Sequence, residues 1–405
     1  MRSVLIRQTA AAVTAAAVLL AGAGCGGLID GSGPQTIYIG VDLPLSGVQE
    51  ATGTVHRNAL ALRVEQINTG QLAGEQYRLE LNVLDNRSDA ATAAANLATL
   101  AGDPHTTAIV AAGCPQCASE AEPGVPIISL DAVDVLAEAD ERRWLFRLGP
   151  NPADNADRLS QAMAQAEVDN LGLLAADDGY GQAGAAQLRD AAERDNLTIP
   201  VDLPIAPGGD EVQTAAETVA AWQPEQLSPT FDPQTGQPRR AGPDAVVIWA
   251  DATLAGTAAT ALRRAGYDGP LFLDMAAAAD LFLTEDQVGL AGATLVFTDT
   301  PVIDQMITAS PAAAARADWF ESYLSRYDTY HVHASWAADA INVLVAAIGR
   351  AGTTAPGAVR DQLEATRIDG FTGAIRFTAA QHSGLHPGSL LLLSADGGRW
   401  YPQTS

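Results

Sequence analysis

Gly179-Tyr180-Gly181-Gln182-Ala183-Gly184 fits the G-x-G-x-x-G pattern and stands between an apolar run and a helical pattern, the setting in which glycines let backbone approach a dinucleotide pyrophosphate. Asp177 and Asp178 lie directly before it, where two carboxylates would repel that pyrophosphate. The motif is therefore expected to be a tight strand-to-helix turn that projects Tyr180, with no cofactor. Cys114-Pro115-Gln116-Cys117 has the spacing of a redox dithiol, whose first thiol needs a helix N-terminus behind it to lower its pKa. The next residues, Ala118-Ser119-Glu120-Ala121-Glu122-Pro123, are acidic and soon broken by proline, so the expectation is a structural disulfide that stiffens a loop. His331-Val332-His333 and His382 with His386 lack the further cysteine or histidine a zinc site wants, and are expected to be loop or surface residues holding no metal.

Other chemistries are excluded by what is missing. The sequence contains no lysine, which removes a phosphate-loop lysine, a Schiff-base lysine and a lysine general base together. It also has no Gly-x-Ser-x-Gly elbow and no His-Glu-x-x-His pair. An enzyme is not expected. A formal net charge of −25 disfavours nucleic acid and any polybasic membrane attachment, since both need clustered positive charge.

The N-terminus has the layout of an export signal: Arg2 and Arg7, an Ala-rich uncharged run to Leu20, then small residues up to Cys25. That run is shorter than the roughly 20 residues a spanning helix needs. Small residues directly before a cysteine resemble the lipobox of bacterial lipoproteins, although Gly22 stands where an aliphatic residue is usual. Residues 1–24 are thus expected to be a signal peptide, Cys25 the lipidated residue, and 25–35 a turn-rich tether holding the body at the outer face of the cytoplasmic membrane. With Cys25 committed, Cys114 and Cys117 are left to pair with each other in an oxidising compartment.

The elements that must position these residues alternate along the chain. Strands are expected at 36–43, 78–84, 107–112, 126–130, 144–148, 170–175, 201–205, 245–249 and 271–273, with helices at 54–68, 88–100, 153–166 and 182–194. Strands separated by such helices build parallel sheets covered on both faces. A chain of 405 residues with 47% hydrophobic content is too long for one core and ample for two, so the fold class is α/β with two doubly wound lobes. In such sheets ligands sit beyond the carboxyl ends of the strands. The proline-rich segment 223–241 precedes a strand and is expected to be a surface excursion away from any site.

Several segments resemble the branched-chain amino-acid-binding proteins of ATP-driven importers. They are Ile37 to Gly47 (IYIGVDLPLSG), Val64-Glu65-Gln66-Ile67-Asn68, Leu84 to Asp89 (LDNRSD), Val125 to Ser129 (VPIIS), Phe146-Arg147, Asp177 to Gln182 (DDGYGQ), Gly242 to Val246 (GPDAV) and Gly370 to Gly373 (GFTG). The resemblance runs in order over nearly the whole chain. It implies a type I periplasmic-binding-protein fold with three hinge crossovers, closure around a ligand, and a small-molecule ligand of amino-acid-like class passed to an ABC transporter permease by a monomer. The implied division is 36–149 lobe 1, 150–299 lobe 2, 300–372 a return to lobe 1, and 373–405 the C-terminal strands of lobe 2. A ligand-binding sensor and an exported thiol oxidoreductase using Cys114 and Cys117 are the alternatives.

The same resemblance implies ligand-binding residues. Ser119 lies in a shortened loop, and Ser129 leads into a second loop where Val133 stands about where a threonine is common. Asp131 in that second loop would repel a carboxylate and welcome a cation. Tyr180 matches the cleft tyrosine of the family, Trp249 and Asp251 lie where another aromatic wall often stands, and Thr52 occupies a position often aromatic. Asp274 is two positions before the acid that usually pairs with the ligand's ammonium, whose own place is taken by Ala276.

Overall fold

A computed structural model describes residues 34–70, 77–121, 123–131, 143–149, 151–207, 211–223, 242–283 and 285–403. The 1–24 signal, Cys25, nearly all of the tether, Val133 and positions 224–241 of the excursion lie outside the described residues.

The first lobe opens with β1 (Gln35–Leu43), α1 (Glu50–Thr69), β2 (Tyr77–Asp85), α2 (Ala90–Gly102), β3 (Thr106–Ala111), α3 (Pro115–Glu120), β4 (Ile127–Ser129) and β5 (Leu145–Arg147). Its sheet is parallel in the order β2-β1-β3-β4-β5. Every residue of β3 is buried, as a strand covered by helices on both faces requires. The second lobe follows with α4 (Pro152–Gln165), β6 (Asn170–Ala176), α5 (Gly179–Arg194), β7 (Thr198–Ile205), α6 (Glu211–Ala221), β8 (Ala245–Trp249), α7 (Ala252–Arg264), β9 (Leu271–Leu273) and β10 (Thr294–Phe297). The chain then forms α8 (Pro311–Tyr327), α9 (His333–Ala351), α10 (Pro356–Leu363), a hairpin of β11 (Arg367–Asp369) and β12 (Ala374–Arg376), and the antiparallel pair β13 (Leu391–Asp396) and β14 (Arg399–Pro402).

The second sheet runs β14-β13-β10-β9-β8-β6-β7. Strands β6 to β10 thus repeat the order of β1 to β5, the first strand of each set lying between its second and third. Each lobe has its own apolar core, and the chain makes its main passages from one to the other between Leu148 and Ala156, between Val302 and Trp319, and between Phe377 and Leu385, while Leu281, Val332 and Trp336 each pack into the core opposite to that of their chain neighbours. This is the two-lobed α/β class expected. The helix α9 is apolar nearly all round, with Ile341, Val343 and Leu344 shut off from solvent, because it lies inside the first lobe rather than on its surface.

Motifs that carry the resemblance fasten loops. Asp85 accepts hydrogen bonds from the Leu45 and Arg87 amides at 2.9 and 2.8 Å and from the Ser46 hydroxyl at 2.7 Å, locking the turn after β1 to the turn after β2. Asp339 on α9 accepts from the amides of Phe371 and Thr372 at 2.9 and 2.8 Å and from the Thr372 hydroxyl at 2.7 Å. Gly370 is glycine for space, since a Cβ there would sit 2.5 Å from the Asp339 carboxylate.

Two expectations need correction. The stretch after Cys114 is not only a loop: Pro115 occupies the first turn of α3, where its missing N–H costs nothing, so the chain makes a short helix despite the acidic residues. Of the four histidines singled out, His386 is exposed as expected, but His331 and His333 are half-buried. His382 is buried, its Nδ1 lies 2.8 Å from the Leu145 carbonyl, and its ring stacks on Phe146 at 4.0 Å.

Candidate ligand-binding site

In a parallel sheet of order 2-1-3, the connections leaving strands 1 and 3 depart to opposite faces, and a crevice opens beyond their carboxyl ends. This chain has two such switch points, at β1/β3 and at β6/β8. The sequence-predicted residues sort onto them.

In the second lobe Tyr180, Trp249 and Asp274 come together. Trp249 ends β8, and Asp274 follows β9 next to it, while Tyr180 opens α5 after β6. The Tyr180 hydroxyl donates to Asp274 Oδ2, and its ring lies 6.3 Å from the Trp249 indole. Asp274 also accepts from the amides of Ala250 at 3.0 Å and Ala276 at 2.9 Å. Burial pushes the Asp274 carboxyl up to about 7, against the lowering effect of these donors and of Tyr180. Burial, and then the Asp274 charge, raise the Tyr180 phenol well above its ordinary value, so it stays a donor.

The glycines of the G-x-G-x-x-G motif serve this packing. A Cβ on Gly181 would meet the Ala176 carbonyl at 2.0 Å, and one on Gly184 would meet the Trp249 ring at 2.0 Å. Asp178 accepts from the Gly181 amide at 2.8 Å and caps α5, which accounts for an acid before the motif.

The first lobe gathers Asp42, Gly113, Ser129 and Asp131 at β1, β3 and β4. Asp131 Oδ1 accepts from the Gly113 amide at 2.9 Å, and the Asp131 amide donates to the buried Ser129 hydroxyl at 3.2 Å. Asp131 Oδ2 is shut off from solvent and has no hydrogen-bond partner among the described residues. Burial raises this carboxyl to about 6; the Gly113 amide and Ser129 hydroxyl pull it down, and the Asp42 charge pushes it up. Asp42, inside the apolar run of β1, is buried and accepts from Asn96 at 2.8 Å and Asn86 at 3.1 Å. Sequence reasoning passed over it, although an acid in the run IYIGVDL was a signal.

The remaining candidates are engaged within their own elements, although the Asp251 charge also acts on Asp274. The Ser119 hydroxyl donates to the Gln116 carbonyl at 3.0 Å within its own short helix. Asp251 caps α7, accepting from the amides of Thr253 and Leu254, both at 2.9 Å. Cys114 and Cys117 are bonded, with Cα atoms 5.3 Å apart. A cavity of about 990 Å³ beside α6 and α7 and one of about 600 Å³ beside α2 and α3 include none of Asp131, Ser129, Tyr180, Trp249 or Asp274 in their walls.

A cluster the sequence did not reveal joins His56 on α1 to His331 and His333. The His56 and His333 rings stack at 5.9 Å, and His331 and His333 meet edge to face at 4.8 Å. Among the described residues no group of three or more His, Cys, Asp or Glu is disposed to hold a metal ion.

Among known proteins, the family described as periplasmic binding protein matches residues 36–398. A comparison with curated proteins finds no significant match. An extracellular ligand-binding receptor from Rhodopseudomonas palustris HaA2 is similar at 20% identity and a TM-score of 0.75, covering 91% of this chain and 99% of that one. An ABC transporter substrate-binding protein from Desulfitobacterium hafniense, solved with Leu, gives 19% identity and a TM-score of 0.70 over 91% and 100%. A branched-chain amino acid transporter substrate-binding protein from Streptococcus pneumoniae, solved with isoleucine, gives 20% identity and a TM-score of 0.69 over 90% and 98%. Since the family match takes in both sheets and both switch points, this chain belongs to the periplasmic binding protein family.

Proposed function

We propose that this chain is an extracytoplasmic solute-binding lipoprotein that takes a small polar ligand of amino-acid-like class between its lobes and delivers it to the permease of an ABC importer. The observation that carries the proposal is the pairing of two switch points, one in each lobe, each bearing a buried acid. Tyr180, held by Asp274 and backed by the buried Trp249, offers an aromatic surface for the apolar part of the ligand, and Asp131 and the loop amides fix its polar groups. Ligand bound to one lobe gains contacts from the other, and that difference in affinity drives closure. The leucine and isoleucine found with two similar proteins support the amino-acid-like class. Cys25 would carry the lipid that holds the body at the outer face of the cytoplasmic membrane, and a monomer would suffice.

The test is a thermal-shift screen of the full chain against amino acids, amides, polyamines and small carboxylates. A true ligand at a hundredfold over its Kd adds about 2.7 kcal/mol of apparent stability. A folded protein that responds to none of these classes counts against the proposal. Palmitate labelling that survives Cys25→Ala counts against the anchor.

A further inference from the structure

The two switch points differ in one respect. Asp274 has a donor for each oxygen, whereas Asp131 Oδ2 has none among the described residues. A buried acceptor left unsatisfied costs about 1–3 kcal/mol, more if it is charged. The groups acting most strongly on Asp131 are the Gly113 amide, the Asp42 carboxylate and the Ser129 hydroxyl, and none is a cation. We infer that Asp131 is the specificity-determining residue of the first lobe and that the solute presents to it a cationic nitrogen rather than a carboxylate.

This rests on the solute-binding proposal and narrows it. A carboxylate brought to the β1/β3 switch point would meet the negative charges of Asp131 and Asp42 together, and would leave Oδ2 without a donor. An ammonium or guanidinium supplies a donor and an opposite charge at once, which is the stronger kind of hydrogen bond. The net charge of −25 acts in the same direction at long range, drawing cations toward the protein. Tyr180, backed by Trp249, is left for the remainder of the solute.

Titration calorimetry of the full chain with lysine, ornithine, putrescine, isovalerate and glutarate tests this, the last two being carboxylates without an ammonium. At least one of the cationic probes is expected to bind at pH 7, with isovalerate and glutarate weaker. Asp131→Asn keeps an acceptor for the Gly113 amide and should weaken the cationic probe by about thirtyfold or more. Asp131→Ser, which offers a hydroxyl donor, should narrow the gap between the cationic probe and isovalerate. Isovalerate binding at least as well as the cationic probes, or an unchanged affinity in a folded Asp131→Asn, overturns the inference and leaves the solute-binding proposal standing. Isovalerate binding tighter at pH 5 than at pH 7 also overturns it, because Asp131 would then serve as a protonated donor to a carboxylate. No response to any probe counts against both.

Discussion

The Tyr180 hydroxyl donates to the carboxylate of Asp274, joining residues 94 positions apart at the carboxyl ends of β6 and β9. The bond fixes the tyrosine ring beside Trp249 and supplies one of three donors to a buried acid. Tyr180→Phe keeps the ring and removes the donor. It is expected to lower stability by about 1–3 kcal/mol, read as a shift of the urea midpoint without a change in slope. A variant as stable as the parent would show that the contact contributes nothing.

Gly184→Ala places a methyl group 2.0 Å from the Trp249 ring, and that indole is fully buried with no room to retreat. The expected cost is about 1–3 kcal/mol with a shift in tryptophan emission. Gly179→Ala, where nothing stands within 4 Å, should be close to neutral. Equal effects from the two would mean the glycines are not there for space.

His56, His331 and His333 are held neutral by burial, with neighbouring imidazoles adding to the effect, and their pKa values are lowered to about 3, 4 and 3. In the unfolded chain they charge near 6.5, so their contribution is complete above that pH and is lost as pH falls toward 4 and 3. Asp131 and Asp274, raised to about 6 and 7, act in the opposite sense, since their contribution is lost as pH rises through those values. Referring each measurement to His56→Phe cancels the acids. Between pH 6.5 and 4 the parent should lose on the order of 3 kcal/mol relative to that variant. A difference that stays constant over this range refutes the assignment.

The Cys114–Cys117 bond closes a loop of four residues, for which chain entropy gives about 2 kcal/mol. The double variant Cys114→Ser/Cys117→Ser should melt earlier and still respond to solute. Loss of the solute response with the fold intact would favour thiol chemistry at this pair.

Apolar runs after turns, such as Ala245–Trp249, were legible because a strand buried on both faces needs nothing else. Tyr180 was legible for the same kind of reason, since the strand, the turn and the helix around it are contiguous. The bond from Tyr180 to Asp274 was not, because only the sheet order places β6 and β9 on either side of β8. Likewise His56 meets His333 only where α1 packs against α9. The capping role of Asp251 was not anticipated, although an aspartate directly before an Ala-Thr-Leu helix start is the ordinary signature of a cap. The short helix α3 escaped because six residues carry no periodicity to read.

The chain completes β6 to β10 in one passage through the second lobe and returns there only for the antiparallel edge pair β13 and β14, whereas the first lobe is finished only by α8, α9 and α10. A polypeptide emerging N-terminus first therefore holds all five parallel strands of one half while the other still lacks the helix that fills its centre. The half made first in sequence should be the last to become protected, an order that pulsed hydrogen exchange during refolding would reveal or refute.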